Sequence, residues 1–187
     1  LDLALVKGAH PSIDDQTMRQ LCEGTPLMEG ITECLDWIID NGHEVAIISG
    51  GMQETAREIA CMYPSEKPWK RRWGGINPHR GIDTKFHVFT NGWLSRIDGK
   101  IEDFGRYNVQ MNGKGSIVMM LQRRLSIPAE RTISIGDSAG DIGMFEQSGL
   151  SICFNPWDEK PVAVAKMTIR SRNLLDVLEA IKNQIKE

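Results

Sequence analysis

Long apolar runs and a surplus of charge of either sign are missing from this sequence. No apolar stretch approaches the ~20 residues that a membrane-spanning helix needs, and no signal-peptide pattern follows Leu1. The net charge of −3 provides no field that would draw the chain to nucleic acid or to an anionic membrane. We therefore expect neither a membrane nor a nucleic acid as a partner.

Cysteine and histidine are too scattered to form a zinc site or a disulfide framework. No CxxC pair occurs, and no Cys/His cluster has zinc spacing; the four cysteines are Cys22, Cys34, Cys61 and Cys153. We expect reduced thiols in the core of a cytoplasmic protein. A G-x-G-x-x-G turn after a first strand is also missing, which argues against a dinucleotide-binding domain.

Strands and helices alternate along the 187 residues, a length that suits one domain. Residue periodicity and turn signals predict strands at 44–49, 131–135, 150–154 and 167–169, a hairpin at 93–104, and helices at 13–22, 31–40, 53–61, 113–125, about 138–147 and 173–185. This alternation favours an α/β fold in which helices cover both faces of a parallel sheet. Catalytic groups in such sheets lie at the carboxyl ends of the strands.

Residues 63–81 differ from the rest because glycine and proline interrupt a basic, aromatic stretch. It contains Trp69, Lys70, Arg71, Arg72 and Trp73. We interpret it as a long loop with two possible roles. It is either a lid that contacts an anionic substrate or an ordinary solvated loop.

Two carboxylates, Asp137 and Asp141, flank a tight turn directly after the predicted strand 131–135. Mg²⁺ prefers oxygen ligands, often one or two carboxylates together with phosphate and water. Asp137, at the strand end, is well placed to bind it. Asp141, one helical turn further on, would orient a lysine or hold metal-bound water. The alternative is that Asp137 only caps the next helix.

A second strand end carries Ser49, Gly50 and Gly51. A hydroxyl followed by free backbone N–H groups at a helix start is a natural phosphate cradle; the alternative is a helix-capping serine. Lys114 begins another predicted helix, where the helix dipole disfavours its charge unless an aspartate or a phosphate lies nearby. An ordinary solvated lysine is the alternative there.

The order of these features resembles the second, third and fourth motifs of the haloacid dehalogenase superfamily. Those motifs are a strand-end Ser/Thr, a helix-start Lys and GDxxxD, and the resemblance runs over about 6–181. Finer features resemble the phosphoserine phosphatase branch: Thr25-Pro26-Leu27, the doubled glycine after Ser49, Asn91 ahead of the hairpin, and Phe154-Asn155-Pro156.

The resemblance implies a Rossmann-like three-layer α/β core at 25–187 and part of a small helical cap at 1–24. It implies a Mg²⁺-dependent phosphomonoester hydrolase that acts on a small phosphorylated metabolite through an aspartyl-phosphate. A receiver-like signalling domain shares the acids and the lysine. It is disfavoured because Lys114 here precedes GDxxxD.

The candidate site consists of six residues: Ser49, Gly50, Gly51, Lys114, Asp137 and Asp141. By resemblance, Ser49 hydrogen-bonds a phosphoryl oxygen within the cradle formed with the two glycines. Lys114 neutralises charge on the nucleophile and on the transferring group. Asp137 is a direct Mg²⁺ ligand. Asp141 positions Lys114 or a metal-bound water and is counted with Asp137 among the residues of the metal site.

The sequence departs from the family's first motif, DxDx(T/V) after an apolar strand. The nucleophile position after residues 3–6 would hold Lys7, which cannot form an acyl-phosphate, and Asp14-Asp15-Gln16-Thr17 is one residue out of pattern. We expect Lys7 to belong to the cap and the first strand to be absent. The alternative is a catalytically inactive relative that binds a phosphorylated ligand.

Losing a central strand of a buried sheet should destabilise the chain. The sequence expressed alone is therefore expected to unfold without a sharp transition. A cooperative thermal melt would count against the absence of the first strand.

Two further positions bear on the substrate and the metal. Asp2 stands where phosphoserine phosphatases carry an arginine that gathers the serine carboxylate, six residues before Gly8. This disfavours phosphoserine and leaves a substrate with an amine possible. Gly140 stands where relatives often have an asparagine that touches the metal shell.

Overall fold

A computed structural model describes three stretches of the chain: 13–23, 25–63 and 86–185. Most of the predicted loop at 63–81 lies outside these residues, as do Asp2, Lys7 and Gly8. No helix in the described part of the chain is both long and apolar enough to cross a membrane. The four cysteines are free thiols, and all but Cys61 are buried, as expected from the sequence.

The described residues belong to two compact units. The first unit comprises the chain up to Pro26 together with Gly42–Val109, and the second comprises Leu27–Asn41 together with the chain from Gln110 onward. In chain order the elements are α1 (Asp15–Glu23), α2 (Ile31–Asp40), β1 (Val45–Met52), α3 (Gln53–Cys61), β2 (Phe86–Ser95), β3 (Ile101–Arg106), α4 (Lys114–Leu125), β4 (Ile133–Gly136), α5 (Ile142–Phe145), β5 (Leu150–Phe154), α6 (Glu159–Val164), β6 (Met167–Ile169) and α7 (Leu175–Ile185).

The first unit contains a three-stranded sheet in the order β1-β2-β3. The first half of β2 pairs parallel to β1, with Ser49 opposite Thr90. Its second half pairs antiparallel to β3, which forms the predicted hairpin. Gly99 takes a φ of 82° in the turn, as an Asp-Gly hairpin turn requires. The sequence missed the first half of β2, because its buried, non-alternating residues give no period-two signal.

The second unit contains an all-parallel sheet in the order β4-β5-β6. The apolar face of α7 packs on it, with Val177 and Ile181 against Leu150 and Ile152. The predicted α/β class with parallel strands is therefore confirmed, although the described strands are divided between two sheets. The helix expected to run to about 147 is instead a 3₁₀ turn (Ala139–Asp141) followed by the single turn α5.

Helix α1 is anchored to the hairpin of the first unit by the Asp15 carboxylate. Asp15 accepts hydrogen bonds from Trp93 Nε1 (2.7 Å) and Ser95 Oγ (2.7 Å) and pairs with Arg19 (2.7 Å). Arg19 Nη1 also bonds the buried Glu54 of α3 at 3.1 Å. The Asp14–Thr17 segment that is out of register with the first motif is thus part of the anchored start of a helix.

Burial favours a higher pKa for Asp15, but hydrogen bonds from Arg19, Ser95 and Trp93 and the charge of Arg19 outweigh it and lower the pKa to about 2. A carboxyl group with a lowered pKa contributes stability above its unfolded pKa, and this stability is lost as the pH falls. The Asp15 carboxylate is about a quarter exposed, so solvent screening reduces its contribution to about 1–2 kcal/mol.

We predict that Asp15→Asn flattens the fall in unfolding free energy between about pH 5 and pH 2. Urea unfolding of the full-length protein at several pH values measures this. Asp176→Asn on α7 is the control, because it removes a carboxylate without touching the anchor. Equal pH dependence in the wild type and Asp15→Asn would contradict the role assigned to Asp15.

Candidate active site

The glycine-rich end of β1 positions the Ser49 hydroxyl in the first unit. The sequence predicted that the strand ends at Ser49, whereas it continues to Met52, and its register with β2 shifts between these two residues. We expected free N–H groups after Ser49. The Gly51 N–H instead donates to Ser49 Oγ at 3.0 Å. Helix α3 begins directly afterwards at Gln53, as predicted.

Lys114 and Asp141 form a buried ion pair in the second unit. Lys114 Nζ lies 2.6 Å from Asp141 Oδ1, and the two side chains are 14% and 4% exposed. An ordinary solvated lysine is thus excluded at position 114. Burial favours a higher pKa for Asp141. The hydrogen bond and charge of Lys114, together with nearby N–H groups, outweigh burial and lower the pKa.

The second oxygen of Asp141 is occupied by its own turn. Asp141 Oδ2 accepts from the N–H groups of Asp137 and Ser138, both at 3.0 Å, and from Ser138 Oγ at 2.9 Å. Ser138 and Asp141 thereby form a capping box around the 3₁₀ turn. Both oxygens are thus engaged by the chain, which favours the lysine-orienting role of Asp141. Its role as a metal ligand stays a prediction.

Asp137 lies exposed at the carboxyl end of β4. Partial desolvation is the largest cause that raises its pKa; the charge of Asp141 adds to this, and Lys114 offsets part of it. A neighbouring carboxylate disfavours the charged form of Asp137, and a bound cation would stabilise that charged form. Its backbone oxygen accepts from the Trp157 N–H at 2.8 Å, which fixes the strand end.

The described residues supply one direct ligand for Mg²⁺ rather than a complete coordination shell. No group of three or more His, Cys, Asp or Glu in the described ranges is arranged to hold a metal. Mg²⁺ often binds through one or two carboxylates and completes its shell with substrate phosphate and water. Asp137 fits that pattern as a direct ligand.

Two glycines permit the close approach that the ion pair needs. A Cβ atom on Gly136 would lie 2.5 Å from Asp141 Cγ, and a Cβ atom on Gly115 would lie 2.4 Å from the Gly143 carbonyl oxygen. Neither position accepts a side chain without displacement. The start of α4, which carries Lys114, therefore contacts the backbone of α5 directly.

Comparison with known proteins identifies relatives of the chain. The sequence model of the haloacid dehalogenase-like hydrolase family matches residues 101–181. The phosphoserine phosphatase of Methanocaldococcus jannaschii is 31% identical over 157 residues, which cover 82% of this chain and 63% of that protein. The chain is therefore similar to haloacid dehalogenase-like hydrolases and, among them, to phosphoserine phosphatases.

Further relatives of this superfamily share most of the chain at lower identity. The phosphoserine phosphatase of Wolinella succinogenes is 24% identical over 94% of this chain and 73% of its own length. A solved phospho-aspartyl intermediate analogue of phosphoserine phosphatase superposes with a TM-score of 0.73 at 22% identity, over 90% of this chain and 71% of that one. This structural likeness shows the haloacid dehalogenase fold.

The chain spans less than two thirds of some of these relatives. It covers 63% of the Methanocaldococcus protein and 42% of the phosphoserine phosphatase of Archaeoglobus fulgidus, which is 27% identical over 89% of this chain. The activity of a whole haloacid dehalogenase enzyme is therefore a proposal for this protein.

The predicted site residues divide between the two units. Ser49, Gly50 and Gly51 belong to the first unit, and Lys114, Asp137 and Asp141 belong to the second. Sequence reasoning missed several contributors that act through these residues: Ser138, Gly115, Gly136 and Gly143. The Ser-x-x-Asp pattern of a capping box was a readable signal for Ser138. Gly115 and Gly143 gave no signal, because they meet where two helices contact each other, and Gly136 was read only as the first residue of GDxxxD.

We predict that Gly136→Ala separates Asp141 from Lys114 and lowers the free energy of unfolding by about 1–3 kcal/mol, the usual cost of overpacking. Gly140→Ala is the matched control, because no atom would lie closer than 3.5 Å to its Cβ atom, which is an ordinary van der Waals contact. Urea unfolding of the full-length protein measures both variants. If the two variants lose the same free energy of unfolding, the close approach of Gly136 to Asp141 does not contribute to stability.

Proposed function

We propose that the protein is a Mg²⁺-dependent hydrolase of phosphomonoesters that acts on a small phosphorylated metabolite through an aspartyl-phosphate. The observation that carries this proposal is the buried Lys114–Asp141 ion pair beside the exposed Asp137 at the end of β4. The match to the haloacid dehalogenase-like hydrolase family model over residues 101–181 and the phosphoserine phosphatase names of the relatives support it.

Asp137 would hold Mg²⁺ through a carboxylate oxygen. When bound there, the cation supplies positive charge against the phosphoryl oxygens and orients the substrate. Asp137 is exposed and therefore accessible to a ligand. The oxygens of Asp141, in contrast, already accept hydrogen bonds from the protein itself. We therefore assign direct metal binding to Asp137 first.

Lys114 would stabilise the negative charge that builds up during phosphoryl transfer. Its ammonium has three donors, and Asp141 accepts from it at 2.6 Å. This bond fixes the direction of the flexible side chain before substrate binds. The remaining donors are then available to the nucleophile and to the transferring group. Asp141 acts in this reaction as the residue that positions Lys114.

The Ser49 hydroxyl would donate to a phosphoryl oxygen, with Gly50 allowing close approach of the ligand. Nothing lies within 4 Å of a Cβ atom built on Gly50, so the backbone is open there. The first step would be attack of an aspartate carboxylate on phosphorus with departure of the alcohol. Water would then release phosphate. No described residue fits the first-motif pattern for that aspartate, so its identity is left open.

The proposal is tested by phosphate release from a panel of small phosphomonoesters, with and without Mg²⁺, using the full-length protein. Phosphoserine and phosphorylated amines lacking a carboxylate belong in the panel. Turnover that requires Mg²⁺ is the expected result. Phosphate binding without turnover on any substrate would instead support an inactive relative that binds a phosphorylated ligand.

We predict that Asp137→Asn lowers Mg²⁺-dependent turnover at least about a hundredfold, because it removes a direct ligand of the cation. Its melting temperature should be unchanged or higher, since the substitution removes a carboxylate whose pKa is raised beside Asp141. The exposed acid Asp176 provides the control variant Asp176→Asn. A large loss of stability in Asp137→Asn would mean that the residue serves the fold instead.

A further inference from the structure

Asn91, which the proposed reaction does not use, saturates its side-chain amide within the first unit. Its Nδ2 donates to the carbonyl oxygens of Gly50 and Val109, both at 3.1 Å. Its Oδ1 accepts from the N–H groups of Asn108 and Val109, both at 2.8 Å. All four bonds that an amide side chain can readily make are therefore present, and they fix its orientation.

The bond from Asn91 to Gly50 acts on the peptide that joins Gly50 to Gly51. The carbonyl of this peptide is held by Asn91, and its N–H donates to Ser49 Oγ at 3.0 Å. A peptide is planar, so its C=O and N–H point in opposite directions and turn together. Flanking glycines leave such a peptide free to rotate. It is here held at both ends.

The direction of this peptide decides what the Ser49 hydroxyl can do. A hydroxyl has one donor and two acceptor lone pairs. Because Ser49 Oγ accepts from the Gly51 N–H, its own proton remains available to donate outward. If the peptide turned over, the Gly50 carbonyl oxygen would face Ser49 and accept that proton. A phosphoryl group offers only acceptors, so Ser49 would then lose its bond to the substrate.

We propose that Asn91 is a positioning residue that prevents this turn-over and thereby keeps the Ser49 hydroxyl as a donor to phosphate. The proposal rests on the proposed phosphate-binding role of Ser49 and adds the residue that maintains it. Asn91 acts through Gly50, Gly51 and Ser49 without touching the substrate itself.

The test uses Asn91→Asp in the full-length protein. This variant has nearly the same shape and keeps the oxygen that accepts from Asn108 and Val109, but it loses the donor to the Gly50 and Val109 carbonyl oxygens. Asn108→Asp is the matched control, because it adds the same charge nearby and removes an amide bond to the Thr90 carbonyl oxygen (2.8 Å) instead. Thermal melts establish that both variants are folded.

The first measurement is amide hydrogen exchange of the Gly51 N–H in the absence of ligand. We expect exchange at least about tenfold faster in Asn91→Asp than in the wild type, because the bond to Ser49 is released. Asn108→Asp should resemble the wild type. Equal exchange in all three proteins would overturn the proposal. If Asn91→Asp does not fold, Asn91→Ala, which removes the donor without adding charge, takes its place.

The second measurement is the affinity for inorganic phosphate in a double-mutant cycle. Asn91→Asp and Ser49→Ala are each expected to weaken binding about tenfold, the loss of one hydrogen bond to a charged group. The double variant should be scarcely weaker than Ser49→Ala. Additive losses would show that Asn91→Asp acts by charge repulsion alone and would overturn the proposal.

These two measurements separate the positioning role from the function on which it rests. If the wild type neither binds phosphate nor hydrolyses phosphomonoesters, the proposed function fails. The exchange of the Gly51 N–H still decides whether Asn91 holds the peptide.

Discussion

A buried carboxylate must be paired, and in this protein the pairing of Asp141 determines how three segments meet. Its two oxygens receive the ammonium of Lys114, two backbone N–H groups and the Ser138 hydroxyl. The start of α4, the end of β4 and the 3₁₀ turn are thereby fixed together. The glycines at 115 and 136 exist in this arrangement because the groups lie too close for side chains. Asp137 is left exposed at the edge of this arrangement.

The two units contribute different chemistry. Around Ser49 the first unit offers neutral dipoles: a hydroxyl, the backbone of two glycines and the amide of Asn91. The second unit offers formal charges, which are the ammonium of Lys114 and the carboxylates of Asp137 and Asp141. Neutral donors discriminate by direction, whereas charges act over a longer range. In the proposed reaction, Ser49 would therefore orient the phosphoryl group, and Lys114 would stabilise its charge.

Much of the fold was readable from the sequence, since strand ends, helix starts and the Asp-Gly turn are local signals. Helix α3 and strands β5 and β6 begin and end where periodicity placed them. The first half of β2 was missed because a fully buried strand shows no alternation. At the site, the residue types of Ser49, Lys114 and Asp137 were predictable from motif order. The hydrogen bonds of Asn91 were not, because they join residues far apart in sequence. The backbone N–H groups that occupy Asp141 were missed, although they belong to its own turn.

The anchor at Asp15 limits where the protein can bend. Helix α1 is tied to the hairpin through Trp93 and to α3 through the Arg19–Glu54 pair. Glu54 is only 3% exposed, whereas Arg19 is 35% exposed, so breaking this partly buried pair costs less than the ~3–5 kcal/mol of a fully buried pair. A hinge between α1 and the helix that follows Ser49 is thus energetically unfavourable. Any opening motion of this haloacid dehalogenase relative should carry α1 along with the Ser49 end of β1.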